Sequence, residues 1–117
     1  MSLKHDMVIK KESFLRGRSK EAFIKRITGL LEGTVIEAYI FGSLASDTFD
    51  CDSDIDLLLV AHSTRPFIER PLEYPQLYDL DVPFDVLVYT PEEFEKIRKD
   101  VPTPFWKNVL SEMVRII

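Results

Sequence analysis

The chain has one cysteine, Cys51, among 117 residues. That excludes an internal disulfide and a cysteine-rich zinc site, and it suits a reducing cytoplasm. No apolar run approaches the roughly 20 residues that span a bilayer, so no membrane segment is expected. The stretch Leu3–Lys11 is too charged to hold the apolar stretch of a signal peptide. Internal repeats, low-complexity tracts and a dividing linker are absent as well. What remains is an ordinary globular composition, 45% hydrophobic and 30% charged, long enough to bury a core without staples.

The net charge of −5 conceals an asymmetry. Residues 1–27 carry eight Lys/Arg against three acids, or +5, and the remaining 90 residues carry seven against seventeen, or −10. An acidic body argues against an extended nucleic-acid surface, which needs a basic face. Residues 1–18 show weak periodicity and are read as a basic arm or short helix, with one domain over 19–117.

From Ser19 the pattern sharpens. Phe23, Ile24, Ile27, Leu30 and Leu31 form a helical stripe, with Ser19 as N-cap and Gly33 as the stop. Thr34–Phe41, Asp54–Val60 and Val82–Tyr89 read as strands. Pro66, Pro71 and Pro75 restrict anything between the last two to short, interrupted helices. Thr90-Pro91-Glu92-Glu93 opens a helix with a capping box. Thr103-Pro104 opens another, with Phe105, Trp106, Val109, Leu110 and Met113 as its apolar side and a tail that ends the helix or forms an edge strand. The expected fold class is α/β (α+β): a small mixed sheet of three or more strands covered by helices.

The chemistry concentrates in Gly42–Asp56, where Asp47, Asp50, Asp52, Asp54 and Asp56 crowd into ten residues. Asp47, Asp50 and Asp52 read as solvated loop residues. Asp54 and Asp56 lead into an apolar strand, on one face and ~6.6 Å apart at ~3.3 Å per residue. Flexible carboxylates at that spacing can lean together over two hard cations such as Mg²⁺. A third acid, Asp85, interrupts an apolar strand and can join them if the two strands are neighbours. A calcium loop beginning at Asp50 is excluded, because Ile55 and Ala61 stand where Gly and Glu are required. Upstream, Gly42 permits close backbone approach and Ser43 adds a hydroxyl donor, both suited to phosphate.

Gly42-Ser43, ten intervening residues and then Asp54-Ile55-Asp56 resemble the signature of the DNA polymerase beta-like nucleotidyltransferase superfamily. The short chain resembles its minimal nucleotidyltransferase branch, antitoxin partners of HEPN-domain toxins. The resemblance implies a nucleotidyltransferase fold and transfer of a nucleoside monophosphate, AMP from ATP or its equivalent from another nucleoside triphosphate, to a hydroxyl acceptor on a HEPN toxin. It implies Gly42, Ser43 and Ser53 at the nucleotide, and Asp54, Asp56 and Asp85 as catalytic ligands of two Mg²⁺ ions. Ser46 and Asp47 stand where many relatives have Arg-Gly, which leaves Arg65, Arg70 and Lys107 as candidate replacement cations. That departure motivates a second reading, a non-catalytic module that neutralises its partner by contact. Cytoplasmic location is expected, and a homo-oligomer remains open.

Overall fold

The computed structural model describes residues 19–48 and 54–117. The arm over 1–18, Asp50, Cys51, Asp52 and Ser53 lie outside the described residues.

Helix α1 (Lys20–Leu31) starts where its cap predicts, with the Ser19 hydroxyl accepting from the Ala22 amide at 3.1 Å. Phe23, Ile27 and Leu31 are fully buried along one stripe. Gly33 takes a positive φ of 84° just beyond the helix, as a stop residue does. Thr34 belongs to that stop rather than to the following strand: its amide and hydroxyl both donate to the Leu31 carbonyl, at 2.9 and 2.5 Å. Strand β1 is therefore shorter than the apolar run suggests, Glu37–Phe41.

A one-turn helix, α2 (Gly42–Ser46), leaves β1 directly, and β2 follows over Ile55–Val60. Two 3-10 helices, Phe67–Glu73 and Pro75–Leu80, carry the chain to β3 (Phe84–Tyr89). Pro83 cannot donate to a ladder, so β3 starts after it, although its carbonyl accepts from Ile55 at 2.9 Å. Helices α3 (Pro91–Lys99) and α4 (Pro104–Glu112) and the short β4 (Val114–Arg115) complete the order. The capping box at Thr90 and Glu93 is present in both directions.

The four-stranded sheet runs β3-β2-β1-β4, with β2 parallel to β3 and β1 antiparallel to both neighbours. Alternation divides the core into two layers. Ala38, Ile40, Ile55, Leu57, Leu59 and Val88 pack towards α1 and the second 3-10 helix. Tyr39, Phe41, Leu58 and Val60 pack with Phe94 of α3 and Trp106 and Val109 of α4. Leu57, Leu58 and Leu59 are each fully buried, so β2 has no solvent face at its centre. Each such leucine contributes roughly 1.5–3 kcal/mol of apolar burial.

Arg70 ties the first 3-10 helix to both β3 and α3. It is 8% exposed and donates to the Arg65 carbonyl at 3.0 Å, the Val88 carbonyl at 3.1 Å and both oxygens of Glu93 at 2.6 and 3.2 Å. The Arg70 hydrogen bond, aided by the Thr90 amide, holds the Glu93 carboxyl at about 2, below its ordinary 4.5. A depressed carboxylate stabilises the fold above its unfolded pKa, and that contribution disappears as pH falls towards 2. Glu93 is 44% exposed, so screening limits the term to about 1 kcal/mol. Arg70→Met is expected to cost about 2–3 kcal/mol in urea unfolding at pH 7, because the Val88 carbonyl loses its buried donor. Glu93→Gln should flatten the stability loss between pH 4.5 and about 2. An unchanged acid limb in that variant would overturn the assignment.

Candidate active site

Asp56 and Asp85 face each other across the parallel ladder, as direct register partners on neighbouring strands. Asp56 shares its face of β2 with Leu58 and Val60, and Asp85 shares its face of β3 with Leu87 and Tyr89. Both carboxylates therefore project on the side of the sheet covered by α3 and α4. Asp54 sits two residues before Asp56, exposed, just outside the strand. Burial raises the Asp56 pKa from 3.8 to about 6, and the charges of Asp85 and then Asp54 add to the shift. Two acidic neighbours that oppose the ionisation of Asp56 make an electrostatic liability that a cation relieves.

Gly42 is the residue that lets this cluster exist. It follows β1 at the position next to Phe41, which pairs with Asp56, and takes a left-handed φ of 69°. A Cβ there would overlap Oδ2 of Asp56 and lie 3.2 Å from its Cγ. Glycine is thus required twice, for conformation and for space. Ser43 follows as the second residue of α2, its carbonyl receiving the Thr48 amide at 2.8 Å. Ser46 closes the turn by donating to the Gly42 carbonyl at 3.0 Å. Asp47 has a left-handed φ of 66°, as the glycine expected there could adopt, and pairs with Lys20 at 3.5 Å, while Ser46 stands at the position of the expected arginine.

A cleft of about 360 Å³ gathers Phe41, Gly42, Asp56, Asp85, Leu87, Phe105, Asn108, Val109 and Glu112. Of the residues singled out from sequence, Gly42, Asp56 and Asp85 line it; Ser43 and Asp54 border it in sequence without lining it. None of the three candidate cations lines it. Arg70 is consumed by Glu93 and the Val88 carbonyl, near the opposite end of β3 from Asp85. Lys107 lines a separate groove with Val101 and Pro102, and Arg65 is exposed in the segment after β2.

The α4 residues are what sequence reasoning missed. Phe105 is not a core residue: it is 51% exposed, whereas its neighbour Trp106 is buried. Phe105, Asn108 and Glu112 recur at i, i+3 and i+7, a stripe beside the buried Trp106 and Val109. That spacing was available in the sequence, but only the packing angle of α4 turns the stripe towards the acids.

The family model for the nucleotidyltransferase domain matches residues 20–113. The chain belongs to the nucleotidyltransferase domain family. Three solved structures share the nucleotidyltransferase fold with it. A chain of the MntA–HpeT toxin–antitoxin pair, bearing two Asp-to-Glu changes, aligns with a TM-score of 0.54 at 19% identity, covering 80% of this chain and 71% of that one. A chain of a toxin–antitoxin structure with AMP-PNP gives 0.54 at 22% identity, covering 80% and 72%. A candidate nucleotidyltransferase from Sulfolobus solfataricus gives 0.51 at 21% identity, covering 93% and 89%. No curated protein matches the chain.

For this nucleotidyltransferase domain the donor set suits a hard divalent cation. The acids offer only oxygen ligands, the Asp56 carboxylate is held above its ordinary pKa by burial and then by its acidic neighbours, and the glycine leaves that carboxylate unobstructed. Among the described residues no three His, Cys, Asp or Glu side chains already form a metal-holding cluster. Among those residues, too, no helix is long and apolar enough to cross a membrane.

Proposed function

We propose that this chain transfers AMP from ATP to a hydroxyl on a HEPN-domain toxin and so acts as the antitoxin of a pair. The observation that carries the reading is the Asp56–Asp85 register pair beside Gly42. Asp54, Asp56 and Asp85 hold Mg²⁺, which when bound offsets the negative charge that develops around the transferred phosphoryl group. Gly42 and Ser43, with Ser53, bind the triphosphate through backbone amides and hydroxyls. Asp85 accepts a hydrogen bond from the acceptor hydroxyl and orients its oxygen towards the α-phosphorus. The new oxygen–phosphorus bond forms as the bond to the β-phosphate oxygen breaks. Pyrophosphate leaves, and the hydroxyl proton passes to a carboxylate and then to solvent.

Membership of the nucleotidyltransferase domain family supports the reaction class. The AMP-PNP and MntA–HpeT structures support an adenine nucleotide and a toxin partner. The two substituted aspartates of the MntA–HpeT variant are themselves spaced two apart, as Asp54 and Asp56 are. A single domain over 19–117 with a basic arm before it, working in the cytoplasm, belongs to the same reading.

One observation favours the contact-only alternative: Ser46 and Asp47 stand in place of Arg-Gly, and neither Arg65, Arg70 nor Lys107 lines the cleft. The test is to incubate the chain with radiolabelled ATP, Mg²⁺ and the protein encoded by the neighbouring gene. Label is expected on that protein, and it should vanish with EDTA or in Asp54→Ala. Neutralisation without label that survives Asp54→Ala establishes the contact mechanism instead. Turnover without any protein partner points to a small-molecule alcohol.

A further inference from the structure

We infer that the α4 wall of the cleft reads the nucleobase and selects one bearing an exocyclic amine. The inference rests on the nucleotidyltransferase reading above and adds the residues that choose the donor nucleotide. One cleft is lined by Gly42 and the acid pair, by the apolar Phe41, Leu87 and Val109, and by Phe105, Asn108 and Glu112 of α4. Its volume, about 360 Å³, lies in the range of small-ligand sites. A molecule whose phosphates lie at Gly42 therefore shares its cleft with an apolar surface and with the exposed side chains of α4.

Phe105 has the properties of a stacking platform. Half its surface is open, yet the ring is held by edge-on contacts with Phe41 at 6.4 Å and Trp106 at 5.4 Å. A base that stacks there meets a ring already ordered by its neighbours.

The two polar groups that line the same cleft are uncommitted. Among the described residues Glu112 forms no ion pair, and the Asn108 carboxamide makes no hydrogen bond. Glu112 is not gathered with Asp56 and Asp85 into a metal-holding trio. A carboxylate at this position repels phosphate and attracts N–H donors. An asparagine side chain beside it can pair both with an amine and with an adjacent ring nitrogen. An amino-purine satisfies both groups, whereas a base with a carbonyl in place of the amine sets oxygen against the Glu112 carboxylate.

The decisive comparison is ATP against inosine triphosphate, in which a carbonyl replaces the amine. Binding to the full chain is followed with Mg²⁺ and no acceptor, by emission of Trp106, the chain's one tryptophan. The wild type should favour ATP by ~10-fold or more. Glu112→Gln, which can donate or accept, should bring the two nucleotides within ~3-fold. Phe105→Ala should weaken both by ~10-fold and leave their ratio unchanged. Both side chains are exposed, and circular dichroism checks that each variant folds.

Equal affinity of the wild type for both nucleotides, or an unchanged ratio in Glu112→Gln, overturns the inference while the nucleotidyltransferase reading stands. So does a Phe105→Ala variant that binds both nucleotides as tightly as the wild type. A wild type that binds no nucleoside triphosphate removes the nucleotidyltransferase reading and this inference together.

Discussion

Asp56→Asn leaves the chain folded, more stable above pH 6 and unable to transfer a nucleotide. The Asp56 pKa is raised to about 6 by burial and by the charges of Asp85 and Asp54. A raised folded-state pKa contributes stability that is fully present below the unfolded value of 3.8 and is lost as pH rises through about 6. At pH 7.5 the ionised carboxylate therefore opposes folding. The full shift corresponds to roughly 3 kcal/mol, and solvent access to the cleft reduces this to about 1–2 kcal/mol.

Asparagine keeps the shape and removes the charge. In EDTA at pH 7.5, urea unfolding should show Asp56→Asn more stable than wild type, and thermal unfolding should give a Tm about 5 °C higher. The two proteins should converge near pH 4. Transfer should fall by roughly 10³-fold or more, because the site would lose a carboxylate that holds the cation offsetting phosphoryl charge. A variant less stable than wild type at pH 7.5 would show that Asp56 is paired in the fold rather than opposed by its neighbours.

Gly42→Ala removes activity by a different route. The left-handed backbone costs alanine about 1–2 kcal/mol, and the added Cβ overlaps the Asp56 carboxylate. The sum is expected at about 2–4 kcal/mol in denaturant unfolding, unless Asp56 swings away into solvent. In either case Asp56 leaves its place opposite Asp85, and transfer is lost. The double variant Gly42→Ala/Asp56→Ala separates the two costs, because only the backbone term remains once the carboxylate is gone. Its stability should exceed the sum of the single effects by at least ~1 kcal/mol, a coupling that distant sites do not show. Simple additivity would mean that the glycine is needed for its φ alone.

Much of this was legible because the signals were local. The Ser19 cap, the Thr90–Glu93 box and the Pro-broken 3-10 segment depend on residues a few positions apart, and all appear where expected. The strand starts at Thr34 and Val82 were misjudged for local reasons as well. Thr34 is occupied in closing α1, and Pro83 lacks the amide a ladder needs. Helical spacing puts Phe105 on the same apolar side as Trp106, yet only Trp106 is buried, and an aromatic pair has no label for which ring faces in. Arg70 illustrates the same limit, since nothing near it in sequence announces the salt bridge to Glu93.

The sequence by itself determined the elements, their order and the Gly-Ser and Asp-x-Asp spacing, because backbone propensity, capping and alternation act over a few residues. Tertiary structure alone decided that β2 and β3 are parallel neighbours with Asp56 opposite Asp85, and that α4 turns Phe105, Asn108 and Glu112 towards them. Strand adjacency, register and helix packing angle arise from contacts between segments far apart in the chain, where burial of two apolar faces at once selects one arrangement.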